Sequence, residues 1–268
     1  MSKIHSTAIV DKKAEIADDV EIGPFSIIGP EVKIGKGCKI ASHVEIKSNV
    51  EIQENNEFYH GCLIGEKPQD LTIKNSKPKI IIGSNNVFRE FSTVHQPSVE
   101  GGATEIGNNN FIMGTAHIAH DVKIGNKVIL VQGCALGGYV QIEDNVYIGG
   151  LSGIHQFCRV GTFAIVGGVS KVVKDVPPYI MADGQPGKAI GINKIGMKRA
   201  GIPSSESTLI RKAFKILYRS NISTSTALEK IKSDILLKLE KDSSAYKKIY
   251  HFIDFIEAGQ RGIIDPRL

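Results

Sequence analysis

An aliphatic or aromatic residue recurs at every sixth position along most of the chain: Ile16, Ile22, Ile28, Ile34, Ile40, Ile46 and Ile52, then Phe58 and Ile64. The series restarts at Ile82 and, after a second interruption, holds through twelve consecutive positions from Ile106 to Val172. A second series of smaller residues sits two places earlier, as in Val20, Ser26, Val32, Cys38, Val44 and Val50, and again from Ala116 to Ala164. Positions i−2 and i share one face of a strand. Each unit of six therefore predicts a short strand with two inward side chains, followed by a glycine-rich or polar corner. Three units close one triangular coil of eighteen residues, and such coils stack as parallel ladders about 4.8 Å apart.

This hexapeptide pattern resembles the parallel β-helix of the hexapeptide-repeat acyltransferases, and that resemblance implies a left-handed coil. The predicted class is mainly β: a left-handed parallel β-helix of hexapeptide repeats over residues 1–190, then a C-terminal α-helical domain over 191–268. Residues 65–79 (GEKPQDLTIKNSKPK) and 95–103 (HQPSVEGGA) carry no inward series and predict loops that leave the coil. Pro177, Pro178 and the DGQPG stretch at 183–187 punctuate the end of the repeat. Beyond them, Ser205–Tyr218, Ser225–Leu239 and Tyr246–Ile256 show apolar residues at helical spacing.

Composition sharpens this picture. Tryptophan is absent and there are 28 glycines, as expected of short strands and tight corners. The stretch MSKIHSTAIV has no long apolar run before a small-residue cleavage site, and nowhere do eighteen apolar residues run together, so a cytoplasmic chain without a transmembrane segment is expected. All four cysteines, Cys38, Cys62, Cys134 and Cys158, fall in the small inward series, which predicts buried thiols without a metal or disulfide role. Net charge is uneven: from residue 191 onward Lys and Arg number 15 against 8 Asp and Glu, leaving 18 against 20 in the remainder. The basic end suits an acidic or phosphorylated partner. No G-x-x-x-x-G-K-S/T, G-x-S-x-G or H-E-x-x-H motif occurs, nor any basic stripe interleaved with aromatics for nucleic acid.

Candidate chemistry lies in GTAHIAHDVKIG (114–125). With eighteen residues per coil, His120 stacks on Gly138 and Gln156, while His117 stacks on Ala135 and Gly153. The second position after an inward residue points out of the coil, so His120 and Gln156 are expected on the outside of one face. An outward imidazole beside an unshielded glycine N–H is an arrangement for general-base catalysis with an oxyanion donor, with Asp121 or Asp70 to orient the ring. Three outward histidines (His117, His120 and His155) also invite an alternative, a zinc hydro-lyase on the same scaffold, and a non-catalytic scaffold is the third reading.

The segments IGPFSIIGP (22–30), IGEKPQDL (64–71), HIAHD (117–121), GGLSGIHQFCRVG (149–161), KDVPPY (174–179) and GMKRAG (196–201) together resemble the UDP-N-acetylglucosamine acyltransferases, which begin lipid A synthesis. The likeness covers nearly the whole chain. It implies transfer of an (R)-3-hydroxyacyl group from acyl carrier protein to the 3-position of a UDP-amino sugar, between subunits of a homotrimer, without cofactor or metal. On that resemblance His120 is the general base, assisted by Asp121, and the Gly138 N–H is the oxyanion donor. Gln69, Asp70, Thr72, His117, Tyr139, His155 and Gln156 match substrate-contacting positions. Asn193 and Arg199 match residues at the uridine and phosphate end, and Gly168 sits where acyl-chain length is set. Thr72, Tyr139 and Ile195 stand where many members carry lysine, histidine and glutamate. Those departures raise the expectation that a 3-amino analogue of UDP-N-acetylglucosamine is tolerated or preferred as acceptor.

Overall fold

The structure is a computed structural model that describes residues 3–70 and 79–267. Almost every hexad forms a strand of two residues, and these strands stack into three sheets of eleven, nine and eight members. The three sheets are the faces of a triangular prism. Register advances by eighteen residues per coil: Ile22 pairs with Ile40, and Ile40 with Phe58. The two loops interrupt the count without interrupting the ladder. Ile64 pairs with Val94 and Val94 with Ile118, so the coil absorbs whole extra hexads in each loop and returns in phase. Phe88 and Val94 extend the aliphatic series between the loops, and the Phe88 ring stacks on Phe58 at 4.8 Å.

From Val20 onward both inward series are buried, cysteines included. Desolvation pushes the Cys134 thiol up to about 12, so it is protonated and inert. Where the smaller inward series turns polar, the side chains build a ladder. Asn86 donates through Nδ2 to the Asn56 side-chain oxygen at 3.0 Å and to the Gly107 carbonyl at 2.9 Å. The Asn86 oxygen in turn accepts from the Asn110 N–H at 2.9 Å, and the Asn110 oxygen accepts from the Val128 N–H at 2.7 Å. Stacked amides thus satisfy one another inside the prism, which is what makes their burial affordable.

The corners differ from the glycine-rich or polar expectation. The third residue after most inward aliphatics takes a positive φ, near +58°, and it is often not glycine. Asn55, Asn85, Asn109 and Asn145 occupy one corner, where asparagine tolerates the left-handed region. Phe25, Leu151 and Val169 adopt it too and stand exposed. A hydrogen bond to the preceding coil offsets the strain, as from the Leu151 N–H to the Gln132 carbonyl at 3.0 Å.

The repeat ends in a hairpin whose turn is the DGQPG stretch. Strand Ile180–Asp183 adds in parallel to Ile165–Val166 and turns back antiparallel as Lys188–Ile192. Four helices follow: α1 (Lys194–Arg199), α2 (Ser204–Arg219), α3 (Thr224–Asp234) and α4 (Ser244–Glu257). The short α1 had no periodic signal, and the stretch expected to continue α3 to Leu239 breaks at Ile235 into a 3-10 turn. Ser223 and Ser243 cap α3 and α4 by accepting from the Thr226 and Tyr246 N–H groups. The helices are fastened to the prism by Arg159, which donates to the buried Asp175 and to the Phe255 carbonyl. No helix among the described residues is long and apolar enough to cross a membrane.

Candidate active site

His120 lies outside the coil as the repeat dictates, yet it is only 8% exposed, and Asp121 only 7%. It is shielded because the second loop folds back over this corner. Ser98, within that loop, donates its N–H at 2.8 Å and its hydroxyl at 2.6 Å to Asp121 Oδ2. The same carboxylate oxygen lies 2.9 Å from His120 Nδ1, so Asp121 rather than Asp70 orients the ring. An ionised carboxylate only accepts, which fixes the proton of neutral His120 on Nδ1 and leaves the Nε2 lone pair for a substrate proton. Beneath the ring lies Gly138. A methyl group on its Cα would sit 2.5 Å from Nε2, so only glycine lets the imidazole rest there. Among the described residues the Gly138 N–H has no hydrogen-bond acceptor.

From this dyad a cavity of about 420 Å³ opens along the nine-stranded face. Gln69, His117, His155, Gln156 and Lys171 stand around it, over a floor of Ala135, Gly138 and Gly153. His117 receives Thr93 Oγ1 at 2.8 Å from its Nδ1 and packs edge-on to the buried His95, 4.9 Å away. Burial, and then the adjacent His95 and His120, lower its pKa to about 4, so it is neutral near pH 7. His155 and Gln156 are exposed on the cavity wall. Tyr139 meets His120 edge-on at 5.3 Å and stacks on Phe157 at 4.8 Å, while its hydroxyl lies 2.7 Å from Ser98 Oγ.

An imidazole oriented by a carboxylate above a glycine N–H, set beside a cleft on a hexapeptide prism, invites comparison with known proteins. A family model described as bacterial transferase hexapeptide (six repeats) matches residues 13–48 and 103–138. A second, described as UDP-N-acetylglucosamine O-acyltransferase, domain 2, matches residues 175–264. The acyl-(acyl-carrier-protein)–UDP-N-acetylglucosamine O-acyltransferase of Thiobacillus denitrificans is 44% identical over 265 residues, 98% of this chain and 100% of that one. The chain belongs to the UDP-N-acetylglucosamine O-acyltransferase family. Solved family structures agree along the full length. The UDP-N-acetylglucosamine acyltransferase of Francisella novicida superposes with a TM-score of 0.92 at 39% identity, over 98% of this chain and 94% of that one. LpxA from Acinetobacter baumannii gives 0.92 at 41%, over 97% and 99%. The fold is the left-handed parallel β-helix with a small helical C-terminal region.

Not every residue expected at the site joins this cavity. Asn193 and Arg199 line a separate cleft of about 570 Å³ with Tyr147, Ile165 and the exposed Ile195, against the eleven-stranded face. There Asn193 is buried and engaged, capping α1 through the Gly196 N–H at 2.8 Å and donating to the Phe163 carbonyl at 2.9 Å. Within one chain these two residues stay apart from His120, because they project from a different face of the prism. Gly168 sits at the corner between the eleven- and nine-stranded faces, across the nine-stranded face from the His120 corner. A methyl there would meet the Gly150 carbonyl oxygen at an ordinary 3.4 Å, so the position has room. Thr72 lies outside the described residues. Sequence reasoning missed Ser98, Thr104 and Lys171. Thr104 accepts the Asp121 N–H at 3.0 Å and donates to the His95 carbonyl at 2.9 Å. Lys171 was visible in principle, since it stacks on Gly153 in the His117 column.

Proposed function

We propose that this chain transfers a 3-hydroxyacyl group from acyl carrier protein to the 3-position of UDP-N-acetylglucosamine or its 3-amino analogue, the first step of lipid A synthesis. The observation that carries the mechanism is the His120 ring, resting on Gly138 with its Nδ1 bound to Asp121. In this reading His120 Nε2 takes the proton from the acceptor hydroxyl or amine as that atom bonds to the thioester carbonyl carbon. The carbonyl oxygen gains charge and is held by the Gly138 N–H. The intermediate then collapses, the carbon–sulfur bond breaks, and the departing thiolate recovers the proton from the imidazolium. A thioester is already activated, so positioning, deprotonation and charge stabilisation suffice without a cofactor.

Gln69, Asp70, His117, His155 and Gln156 would hold the sugar around the base. Asn193 and Arg199 would reach the uridine and phosphate end from a neighbouring copy, which makes the homotrimer part of the catalytic unit, and Gly168 would leave space for the acyl chain. The basic helices would face the acidic carrier protein, in the cytoplasm. Thr72, in place of a lysine, favours the amino acceptor, because like charges repel in a semi-desolvated cleft. The test is incubation with 3-hydroxyacyl carrier proteins of several lengths and an equimolar pair of acceptors, with products identified by mass spectrometry. A 3-acylated sugar nucleotide supports the reading, and an amide in excess supports the amino preference. Ester in equal or greater yield would sink that preference, and no product from any pair would sink the acyltransferase.

A further inference from the structure

The second loop reaches further than a cover over the dyad requires, and its hydrogen bonds form a single chain with determined direction. Asp121 Oδ2 accepts from the Ser98 N–H, from the Ser98 hydroxyl and from His120 Nδ1. A serine hydroxyl has one proton, and here it is spent on the carboxylate. The contact of 2.7 Å between Ser98 Oγ and the Tyr139 hydroxyl therefore runs from tyrosine to serine. Tyr139 is itself fixed, stacked on Phe157 and edge-on to His120.

We propose that Ser98 and Tyr139 are positioning residues that set the orientation and basicity of His120 through Asp121. The proposal rests on the acyltransferase reading for its kinetic consequence, though not for its geometry. Two Ser98 donors draw negative charge from the oxygen that faces the imidazole. They moderate the carboxylate's pull on the ring it orients. The Tyr139 donor makes the Ser98 hydroxyl a stronger donor, because linked hydrogen bonds polarise one another. Loop residues 95–103 thus bring a tuning group to a base that the repeat alone would leave in solvent.

Several other groups face His120, and the variants below leave them in place. His117 lies on the strand that precedes it, Gln69 reaches in from the first loop, and His155 and Lys171 line the cavity wall. His95 lies behind His117.

The experiment compares wild type with Ser98→Ala, Ser98→Thr and Tyr139→Phe by two readouts: the pH dependence of kcat and KM, and the His120 imidazole resonances by nitrogen NMR. Ser98→Ala removes one charge-assisted donor, so the His120 pKa should rise by about one unit. The acid limb of kcat/KM should move with it, and kcat at pH 7 should fall several-fold, at most about tenfold, with KM for the sugar nucleotide unchanged. Tyr139→Phe should shift both readouts the same way by less, and Ser98→Thr should restore them. An unmoved resonance and an unmoved acid limb in both Ser98→Ala and Tyr139→Phe would overturn the proposal. Should Ser98→Ala fail to fold, Tyr139→Phe decides alone, because it removes one oxygen and keeps the stacked ring. Shifted resonances without acyl transfer in any protein would leave the clamp standing and remove the acyltransferase reading. Acyl transfer with unshifted resonances would do the reverse.

Discussion

Replacing Gly138 by alanine tests the packing of the His120 ring most sharply, because the backbone there is not in the left-handed region and the N–H is retained. The added methyl would lie 2.4 Å from His120 Cε1, 2.5 Å from Nε2 and 3.1 Å from Nδ1. An ordinary carbon contact needs about 3.5 Å, so the ring must retreat by about 1 Å. It has little freedom to do so, with Asp121 holding Nδ1 and Tyr139 packed edge-on. Retreat on that scale stretches or breaks the bond to Asp121 and carries Nε2 away from the cleft. A misplacement of about 1 Å at a catalytic group costs about 100-fold in rate. We therefore expect kcat for Gly138→Ala to fall about 100-fold, with KM for the sugar nucleotide nearly unchanged and the unfolding midpoint within a few degrees of wild type. Steady-state kinetics with saturating acyl carrier protein, beside a thermal melt, reads all three. A variant that folds normally and keeps kcat within threefold would refute the claim that His120 rests on this glycine.

Two further outcomes follow from groups outside the dyad. His117 is held at about 4 against an ordinary 6.5. The unfolded chain therefore binds a proton in that window that the folded chain refuses, and stability falls as pH drops from 6.5 toward 4. His117→Gln should lessen that fall, and melting curves of the two proteins that run parallel from pH 7 to 4 would contradict the assignment. Asn86→Ala strands the Gly107 carbonyl and the Asn110 N–H and removes one donor to the Asn56 side-chain oxygen, and should cost about 2–4 kcal/mol in urea unfolding. A cost under about 1 kcal/mol would show that the ladder is replaceable.

The prism was legible because its inward positions obey a strict count: Ile106 to Val172 hold the period without a miss, and stacking follows from it. The same arithmetic placed His120 over Gly138. It failed where polarity and packing depart from the aliphatic rule. Asn56, Asn86 and Asn110 look like gaps in the smaller series, and only the stacked amides explain why they belong inside. Phe25, Leu151 and Val169 hold corners by coil-to-coil hydrogen bonds, so their side chains carry no turn signal. Burial of the dyad was hidden for another reason. Ser98 lies in an aperiodic loop, and nothing local to it announces a contact with Asp121, twenty-three residues later. The separation of Asn193 and Arg199 from His120 came from the closing hairpin and α1, which the hexad count does not reach.

The central claim is that His120 is the base of an acyl transfer. Its most direct test is the pH dependence of kcat/KM for acyl transfer to UDP-N-acetylglucosamine and its 3-amino analogue, in wild type and in His120→Ala. For the wild type the account predicts one acid limb set by the His120 imidazole. In the variant the rate should fall by about a thousandfold and the limb should vanish. A variant that keeps its rate within tenfold, or that retains the same acid limb, would contradict it.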